Sequence, residues 1–204
     1  MSARRKCHLK APESEDLVEA ELVDELSKDD LIQAHLDWAP VRLAALKRLH
    51  EAKQPWPEHW HWDWSKKADM LDLLAYRCMG IELGGHMQGL MMVSTIAAKG
   101  RLHSQQGKAV LYIEFLETAP WNIRDLVGAP KLLGVGVRLL EAAIDFSGEE
   151  GFRGRIGLHS LPQSGEFYRK YMTDLGLDSS QSQGLRYFEM SAEQVRYFLE
   201  GRKP

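Results

Sequence analysis

Two glycines ahead of an apolar stretch form the most informative motif of this sequence. The segment Lys131-Leu-Leu-Gly134-Val-Gly136-Val-Arg138 precedes apolar residues that recur at helical spacing. Glycines before a helix let a ligand approach the backbone, and the free amides and the helix dipole then point at one place. The segment therefore predicts a phosphate-binding turn. It is neither a dinucleotide fingerprint, because Leu139 replaces the third glycine, nor a P-loop, because no Gly-Lys-Ser/Thr follows.

Acidic residues inside an apolar segment are candidates for proton transfer. Alternation along the predicted strand from Val110 to Thr118 gives two faces. One face carries Tyr112, Glu114 and Leu116, and the other carries Ile113, Phe115 and Glu117. Burial should raise the pKa of such a carboxyl group, which suits a general base. Glu114 is the first candidate and Glu117 the second, and a purely structural salt bridge is the alternative for Glu114. His159, at the end of a later strand, is a further candidate base or a structural histidine.

A proline-bounded segment from Gln54 to Lys67 is rich in aromatic residues. It contains Trp56, Trp60, Trp62 and Trp64, with His59 and His61 between them. The two histidines supply only two ligands, without partners at zinc spacing, so no metal site is expected. The tryptophans either form a recognition surface or fill the core beneath the loop, and the sequence leaves both interpretations open.

Capping signals and periodicity predict the elements that would position these groups. Ser27 and Asp30 form a capping pattern before a helical stripe, and Pro40 predicts a kink or two helices meeting near Ala39. Residues 73–83, 86–96 and 109–119 are typical of a three-strand meander. The later segments predict a helix after the glycine turn, a strand at 154–161, a short helix at Gln163–Met172, a strand from Gly184 and a helix at Ala192–Leu199. Strand, helix and strand in this order predict an α/β fold with a mixed sheet.

Composition narrows the classes of function. The chain has 204 residues, of which 44% are hydrophobic, and its 26 basic and 29 acidic residues leave a net charge of −3. One domain is expected for this length, and general binding of DNA is not expected without a basic field. Cys7 and Cys78 cannot form a disulfide framework. The start MSARRKCHLK leads into acidic residues, and no apolar run approaches ~18 residues, so we expect a cytoplasmic protein without a membrane segment.

The order of elements and several short motifs resemble the GNAT acetyltransferase superfamily, over roughly Leu73 to Met190. Leu116-Glu117-Thr118-Ala119-Pro120 is similar to the family's L-x-V-x-P apart from Thr118. Lys131 to Gly136 is similar to Q/R-x-x-G-x-G/A, with Lys131 keeping a cation. The resemblance implies a mixed, mostly antiparallel sheet flanked by helices, with a splayed central strand pair.

A further motif of the resemblance lies downstream. Phe167-Tyr168 matches the end of N-x-x-A-x-x-F-Y, although Leu161 and Ser164 occupy the Asn and Ala positions and no Gly precedes Met172. The resemblance implies one acyltransferase domain over 1–204. It divides into an N-terminal arm or edge element (1–26), acceptor-side helices and loop (27–67), an acetyl-CoA-binding core (73–190) and a C-terminal helix and tail (191–204).

The resemblance also implies roles for individual residues. Tyr168 would protonate the departing CoA thiolate, and Glu114, or else Glu117, would deprotonate the amine. The amine acceptor would contact Trp60, His61, Trp62, Tyr112 and His159. Acetyl-CoA would contact Leu116, Glu117, Thr118, Lys131, Leu132, Leu133, Gly134, Val135, Gly136, Val137, Phe167 and Tyr168.

These assignments favour N-acetyl transfer from acetyl-CoA to an amine, directly in a ternary complex, because no nucleophilic cysteine is evident. A non-catalytic acyl-CoA sensor or interaction module is the alternative. A toxin that acetylates aminoacyl-tRNA is a third interpretation, which requires a local basic face. The acceptor stays open among small amines, peptides, lysine and aminoacyl-tRNA, and so does the oligomeric state, a homodimer included.

Overall fold

A computed structural model describes residues 3–180 and 184–201 of the chain. The last residues of the predicted C-terminal tail, 202–204, lie outside the described part. The elements in chain order are β1 (Arg4–Lys10), β2 (Leu17–Val23), α1 (Lys28–Glu51), α2 (Trp64–Lys67), β3 (Tyr76–Leu83), β4 (His86–Lys99), β5 (Ala109–Thr118), α3 (Arg124–Val127), α4 (Val135–Glu149), β6 (Ile156–Ser160), α5 (Gly165–Tyr168), β7 (Thr173–Leu177), β8 (Arg186–Met190) and α6 (Ala192–Leu199).

The chain divides into two compact units. The first unit comprises the described residues of Met1–Met92 and Phe115–Leu139, and the second those of Val93–Glu114 and Leu140–Pro204. The strands β4 and β5 and the helix α4 each contribute residues to both units.

The first unit contains an edge hairpin made from the charged N-terminal segment. β1 and β2 pair antiparallel from Arg4↔Val23 to Lys10↔Leu17, and β3 and β4 follow β2 in the sheet. Lys6 pairs with Glu19 across the hairpin at 2.9 Å. Cross-strand pairs of this kind accommodate the charged side chains on the exposed face of an edge hairpin.

Helix α1 covers the core of the first unit. Its capping box is formed as predicted: Asp30 N donates to Ser27 Oγ at 3.2 Å, and Ser27 N donates to Asp30 Oδ2 at 2.8 Å. The prediction of two helices meeting near Ala39 is wrong, because one helix of 24 residues contains Pro40. The carbonyl that loses its donor belongs to Leu36, which is 59% exposed, so water can replace that bond.

The second unit contains the predicted crossover. β5 pairs in parallel with β6 over Leu111–Ile113 and Ile156–Leu158, and the sheet continues through β8 to β7 with antiparallel pairs. Such a short parallel ladder suits the predicted splayed pair. The α/β class and the mixed, mostly antiparallel sheet are confirmed.

Two predictions for the C-terminal part need correction. The helix predicted at Gln163–Met172 is only the single turn α5, because a 3-10 turn precedes it and the chain enters β7 at Thr173. Strand β7 was not predicted. The terminal helix α6 has the predicted bounds, and Ser191 and Gln194 form its capping box. In the described part of the chain, no helix is both long enough and apolar enough to span a bilayer.

Candidate functional site

The predicted phosphate turn precedes α4 and is fixed to the end of β1. Lys10 N donates to Leu133 O at 3.1 Å, and Leu133 N donates to Lys10 O at 2.8 Å. Leu132 N donates to Asn122 Oδ1 at 3.0 Å. The segment before the helix is therefore held by β1 and by the loop after β5.

Gly134 is the residue from which α4 begins. Its φ of 93° lies in the left-handed region that favours glycine. Its carbonyl accepts from Arg138 N at 3.0 Å, which is the first hydrogen bond of the helix. The amides of Val135, Gly136 and Val137 consequently have no acceptor within the helix, and the helix dipole adds positive potential at the same place. This geometry suits an anion.

A cavity of about 230 Å³ opens beside this turn. Its lining combines the N-terminal hairpin with the start of α4: His8, Lys10, Leu17, Leu133, Gly134, Val137 and Arg138. Arg138 Nε donates to His8 O at 3.2 Å, which keeps the guanidinium beside β1. Two cations, Lys10 and Arg138, and the helix amides therefore border one cavity.

The carboxylate of Glu117, near the end of β5, is buried and fully paired. Arg42 Nη2 donates to Oε1 at 2.7 Å, and Trp64 Nε1 donates to Oε2 at 2.7 Å. Arg42 Nη1 also donates to Trp62 O at 2.5 Å. The cluster Arg42, Trp64 and Glu117 thus joins α1, α2 and β5. Each oxygen of the Glu117 carboxylate therefore has a donor within this cluster.

Burial governs the electrostatics of this cluster. Burial raises the pKa of Glu117 to about 7, although the charge of Arg42 and the hydrogen bond from Trp64 act in the opposite direction. His59 Nε2 lies 3.6 Å from Glu117 Oε1. Burial, followed by the charge of Arg42, lowers the pKa of His59 to about 4, so this imidazole is neutral at pH 7.

The tryptophans of the 54–67 segment have different environments. Trp64 is completely buried in the core, whereas Trp56 and Trp60 are 41% and 46% exposed. The ring of Trp62 lies 5.3 Å from that of Phe115 in an edge-on arrangement, and the ammonium of Lys67 lies 3.9 Å from the Phe115 centroid. Trp64 therefore fills the core, whereas Trp60 lies on the surface beside His61.

In the second unit, Tyr112 and His159 contact each other. Tyr112 OH lies 2.6 Å from His159 Nδ1, and His159 Nε2 lies 2.9 Å from Asp178 Oδ2. Glu114 is half-buried, and burial raises the pKa of its carboxyl group. The structure thus brings Tyr112 and His159 together and adds Asp178.

Tyr168 lies on α5, where its ring is packed between two aromatic neighbours. The residue is 6% exposed, and its ring centroid lies 5.1 Å from Phe167 and 5.8 Å from Phe188. Burial raises the pKa of the Tyr168 phenol above its ordinary value, so the hydroxyl keeps its proton at neutral pH.

Comparison with solved structures identifies the fold. Mycobacterium smegmatis RimJ in complex with CoA-disulfide matches 98% of this chain and 96% of its own, with a TM-score of 0.54 and 16% identity. The PaiA N-acetyltransferase from Thermoplasma acidophilum in complex with coenzyme A matches 85% of this chain and 99% of its own, with a TM-score of 0.53 and 14% identity. This chain has the GNAT acetyltransferase fold. A GNAT family acetyltransferase from Listeria monocytogenes matches 90% of the chain and 98% of its own, with a TM-score of 0.52 and 12% identity. No family model and no curated protein matches the sequence.

Only part of the segment predicted to bind the cofactor in this GNAT fold borders the cavity. Leu133, Gly134 and Val137 line it, whereas Leu132 and Val135 are buried in the core. The cation expected at Lys131 is not in the lining: its ammonium lies 6.0 Å from the Trp121 ring centroid. Three other predicted contacts are half-buried: Leu116 and Thr118 on β5, and Phe167 on α5.

Sequence reasoning missed three basic residues at the cavity of the GNAT fold. His8 and Lys10 belong to the N-terminal arm and Arg138 to the glycine motif, and the sequence predicts no role for any of them. The only available signal was the basic composition of the N-terminal tip. Nothing in the sequence indicates that Lys10 pairs with Leu133.

Two tryptophans of the 54–67 segment contact one face of β5. Trp62 contacts Phe115 and Trp64 donates to Glu117, and alternation places both of these residues on the face opposite to Glu114. The predicted acceptor residues belong to both units. The first unit contains Trp60, His61 and Trp62, and the second contains Tyr112 and His159. Among residues 3–180 and 184–201, no three His, Cys, Asp or Glu side chains converge as metal ligands would.

Proposed function

We propose that this protein transfers an acetyl group from acetyl-CoA to an amine acceptor, directly in a ternary complex. The observation that carries the proposal is the cavity beside Gly134, where helix amides and two cations meet. Support comes from the GNAT fold, since the similar RimJ and PaiA structures contain CoA-disulfide and coenzyme A.

In this proposal, the chain contributes binding and proton transfer. The amides of Val135, Gly136 and Val137, with Lys10 and Arg138, hold the phosphates of acetyl-CoA. A base removes a proton from the acceptor ammonium, the amine nitrogen bonds to the acetyl carbon, and the carbon–sulfur bond breaks. Tyr168 then gives its proton to the thiolate.

Direct transfer is favoured because no cysteine is suited to carry the acetyl group. Burial raises the pKa of the Cys78 thiol, which keeps it protonated and unreactive. Cys7 lies on the edge strand β1.

The test of the proposed function is the affinity of the turn for acetyl-CoA. We expect Gly136→Asp to lower this affinity by at least about tenfold, because a carboxylate beside the helix amides repels the pyrophosphate. The matched control is Gly148→Asp near the other end of α4, where an added Cβ meets nothing within 4 Å. Calorimetry measures the acetyl-CoA affinity of both variants. Equal affinity of a folded Gly136→Asp protein and the wild type contradicts the assigned cofactor site.

A second prediction compares Lys10, a proposed phosphate ligand, with Lys131, the cation that the sequence resemblance implies at this turn. We expect Lys10→Glu to weaken acetyl-CoA binding by at least about tenfold, because charge-assisted contacts to phosphate contribute roughly 1.5–3 kcal/mol. Lys131→Glu should have less than about a threefold effect, because Lys131 does not line the cavity. The two titrations are run side by side at low and high salt. The opposite ranking would support the sequence prediction over the geometry.

A non-catalytic acyl-CoA-binding module is the second candidate. The observation that favours it is the state of two predicted catalytic groups: both oxygens of Glu117 accept hydrogen bonds, and Tyr168 is buried. A thiol-release assay with a panel of polyamines, aminoglycosides, amino-acid amides and lysine peptides separates the two functions. Tight acetyl-CoA binding without thiol release would favour the module.

A further inference from the structure

Three side chains of the second unit form a hydrogen-bonded chain: Tyr112 on β5, His159 on β6 and Asp178 directly after β7. The distances are 2.6 Å from Tyr112 OH to His159 Nδ1 and 2.9 Å from His159 Nε2 to Asp178 Oδ2. Asp178 is buried, and no sequence motif includes it. The order of a hydroxyl, an imidazole and a carboxylate is that of a proton-transfer relay.

The donors around Asp178 determine how the protons are arranged. Arg101 Nη1 donates to Oδ2 at 2.6 Å, while Ser180 N and Ser180 Oγ donate to Oδ1 at 3.0 and 2.6 Å. The hydrogen bonds from Ser180, Arg101 and His159 lower the pKa of Asp178, so it is a carboxylate and only accepts. The proton of the second hydrogen bond must therefore be on His159 Nε2.

The imidazole of His159 is neutral at pH 7, because burial lowers its pKa below 6.5 even though Asp178 acts in the opposite direction. With a proton on Nε2, its Nδ1 carries a lone pair and accepts from Tyr112 O–H. The ring of Tyr187 lies 5.0 Å from that of His159, and the Arg101 guanidinium lies 4.2 Å from the Tyr187 ring. The tautomer of His159 is thus set by the carboxylate of Asp178.

Tyr112 keeps its proton until another group takes it. Burial, followed by the charge of Glu114, raises the pKa of Tyr112 to about 12, so the phenol is not ionised at neutral pH. The hydrogen bond to His159 offers the phenol proton a destination other than water. A phenol in this arrangement accepts one proton on its oxygen while it gives another to the imidazole.

We infer that the Tyr112 hydroxyl takes the proton of the acceptor ammonium and passes its own proton to His159, which Asp178 holds in place. In this step an N–H bond of the ammonium breaks, an O–H bond forms on Tyr112, the original O–H bond breaks and an Nδ1–H bond forms. The resulting imidazolium is stabilised by Asp178 and later loses its proton to water. His159 and Asp178 are positioning residues, and the inference rests on the proposed function.

The decisive variant is His159→Gln, which can accept from Tyr112 and donate to Asp178 but cannot take up a proton. We expect kcat/KM for an amine of the panel to fall by about 10²-fold in His159→Gln and in Tyr112→Phe, with acetyl-CoA affinity unchanged. Wild-type kcat/KM should fall at acidic pH with a midpoint below 6.5, as His159 becomes protonated, and both variants should lose this acidic limb. The matched control is Tyr197→Phe, because that hydroxyl bonds only to Glu193 at 3.3 Å among the described residues.

Each result of this experiment supports or overturns the relay. If His159→Gln has a kcat/KM within threefold of wild type and keeps the acidic limb, His159 is structural and the relay is overturned. If Glu114→Gln loses the acidic limb while Tyr112→Phe keeps the wild-type kcat/KM, the base is Glu114, and the relay is also overturned. A wild type that binds acetyl-CoA but acetylates no amine of the panel overturns the proposed function, and the relay with it.

Discussion

Replacing Glu117 with Ala should lower the free energy of unfolding by about 3–5 kcal/mol at pH 8, the typical effect of removing one partner of a buried ion pair. The guanidinium of Arg42 would remain buried without its carboxylate, and Trp64 Nε1 would lose its acceptor. Urea denaturation measures the change. The matched control is Glu19→Ala, which breaks an exposed pair with Lys6 and should have little effect.

A double variant separates the loss of the pair from the loss of packing. Arg42→Met combined with Glu117→Leu removes both charges and keeps much of the apolar volume, so it should recover most of the stability lost in Glu117→Ala. If Glu117 were instead the catalytic base, Glu117→Gln would lose turnover while its stability stayed close to that of the wild type. A stable, inactive Glu117→Gln protein therefore contradicts the structural role.

The pH dependence of stability provides an independent check on Glu117. Its pKa in the folded protein, about 7, lies above the ordinary 4.5 because of burial. Between these values the folded state holds a proton that the unfolded chain has lost. The free energy of unfolding should therefore decrease as the pH rises from 4.5 to 7, by at most about 1.4 kcal/mol per pH unit. Glu117→Gln should lose this component, which denaturation at several pH values measures.

The sequence predicted elements whose signals are local. The meander of β3, β4 and β5 follows from period-two alternation and the Gly84-Gly85 turn, and α6 follows from a capping box and apolar spacing. The hairpin of β1 and β2 carried no such signal, since its charged residues are satisfied by pairs such as Lys6 and Glu19 that only the folded register shows. Local periodicity cannot report a partner that is distant in the sequence.

The same limit applies to the site. The glycine turn was recognised because its residues are adjacent, whereas Lys10 reaches Leu133 only through the fold. The raised pKa expected for the Glu117 carboxyl group is found in the structure. Its partner Arg42 lies 75 residues away in the sequence, so no local pattern indicates this pair. The sequence does not indicate Asp178 as a site residue, because a single aspartate after a short strand forms no recognisable motif.

The predicted acid, Tyr168, carries the largest expected effect on turnover. We expect Tyr168→Phe to lower kcat by about 10²–10⁴-fold, the usual contribution of a general acid, with unchanged acetyl-CoA affinity. The Phe side chain keeps the ring contacts with Phe167 and Phe188, so the folded state should persist. Steady-state kinetics with the best amine of the panel, together with calorimetry, measures both quantities.

The chain offers a close control for this variant in Tyr171, whose ring also contacts Phe167, at 5.5 Å. Tyr171→Phe removes a hydroxyl from the same aromatic group, so it should leave kcat within about threefold of wild type. Because burial holds the pKa of Tyr168 above its ordinary value, the phenol stays protonated across neutral pH, and the acidic limb of kcat should be the same in wild type and Tyr168→Phe.

A kcat of Tyr168→Phe within threefold of wild type would contradict the role of Tyr168 as the general acid. Such a loss corresponds to less than about 1 kcal/mol of transition-state stabilisation. The thiolate would then take its proton from water, and Tyr168 would be a core tyrosine between Phe167 and Phe188.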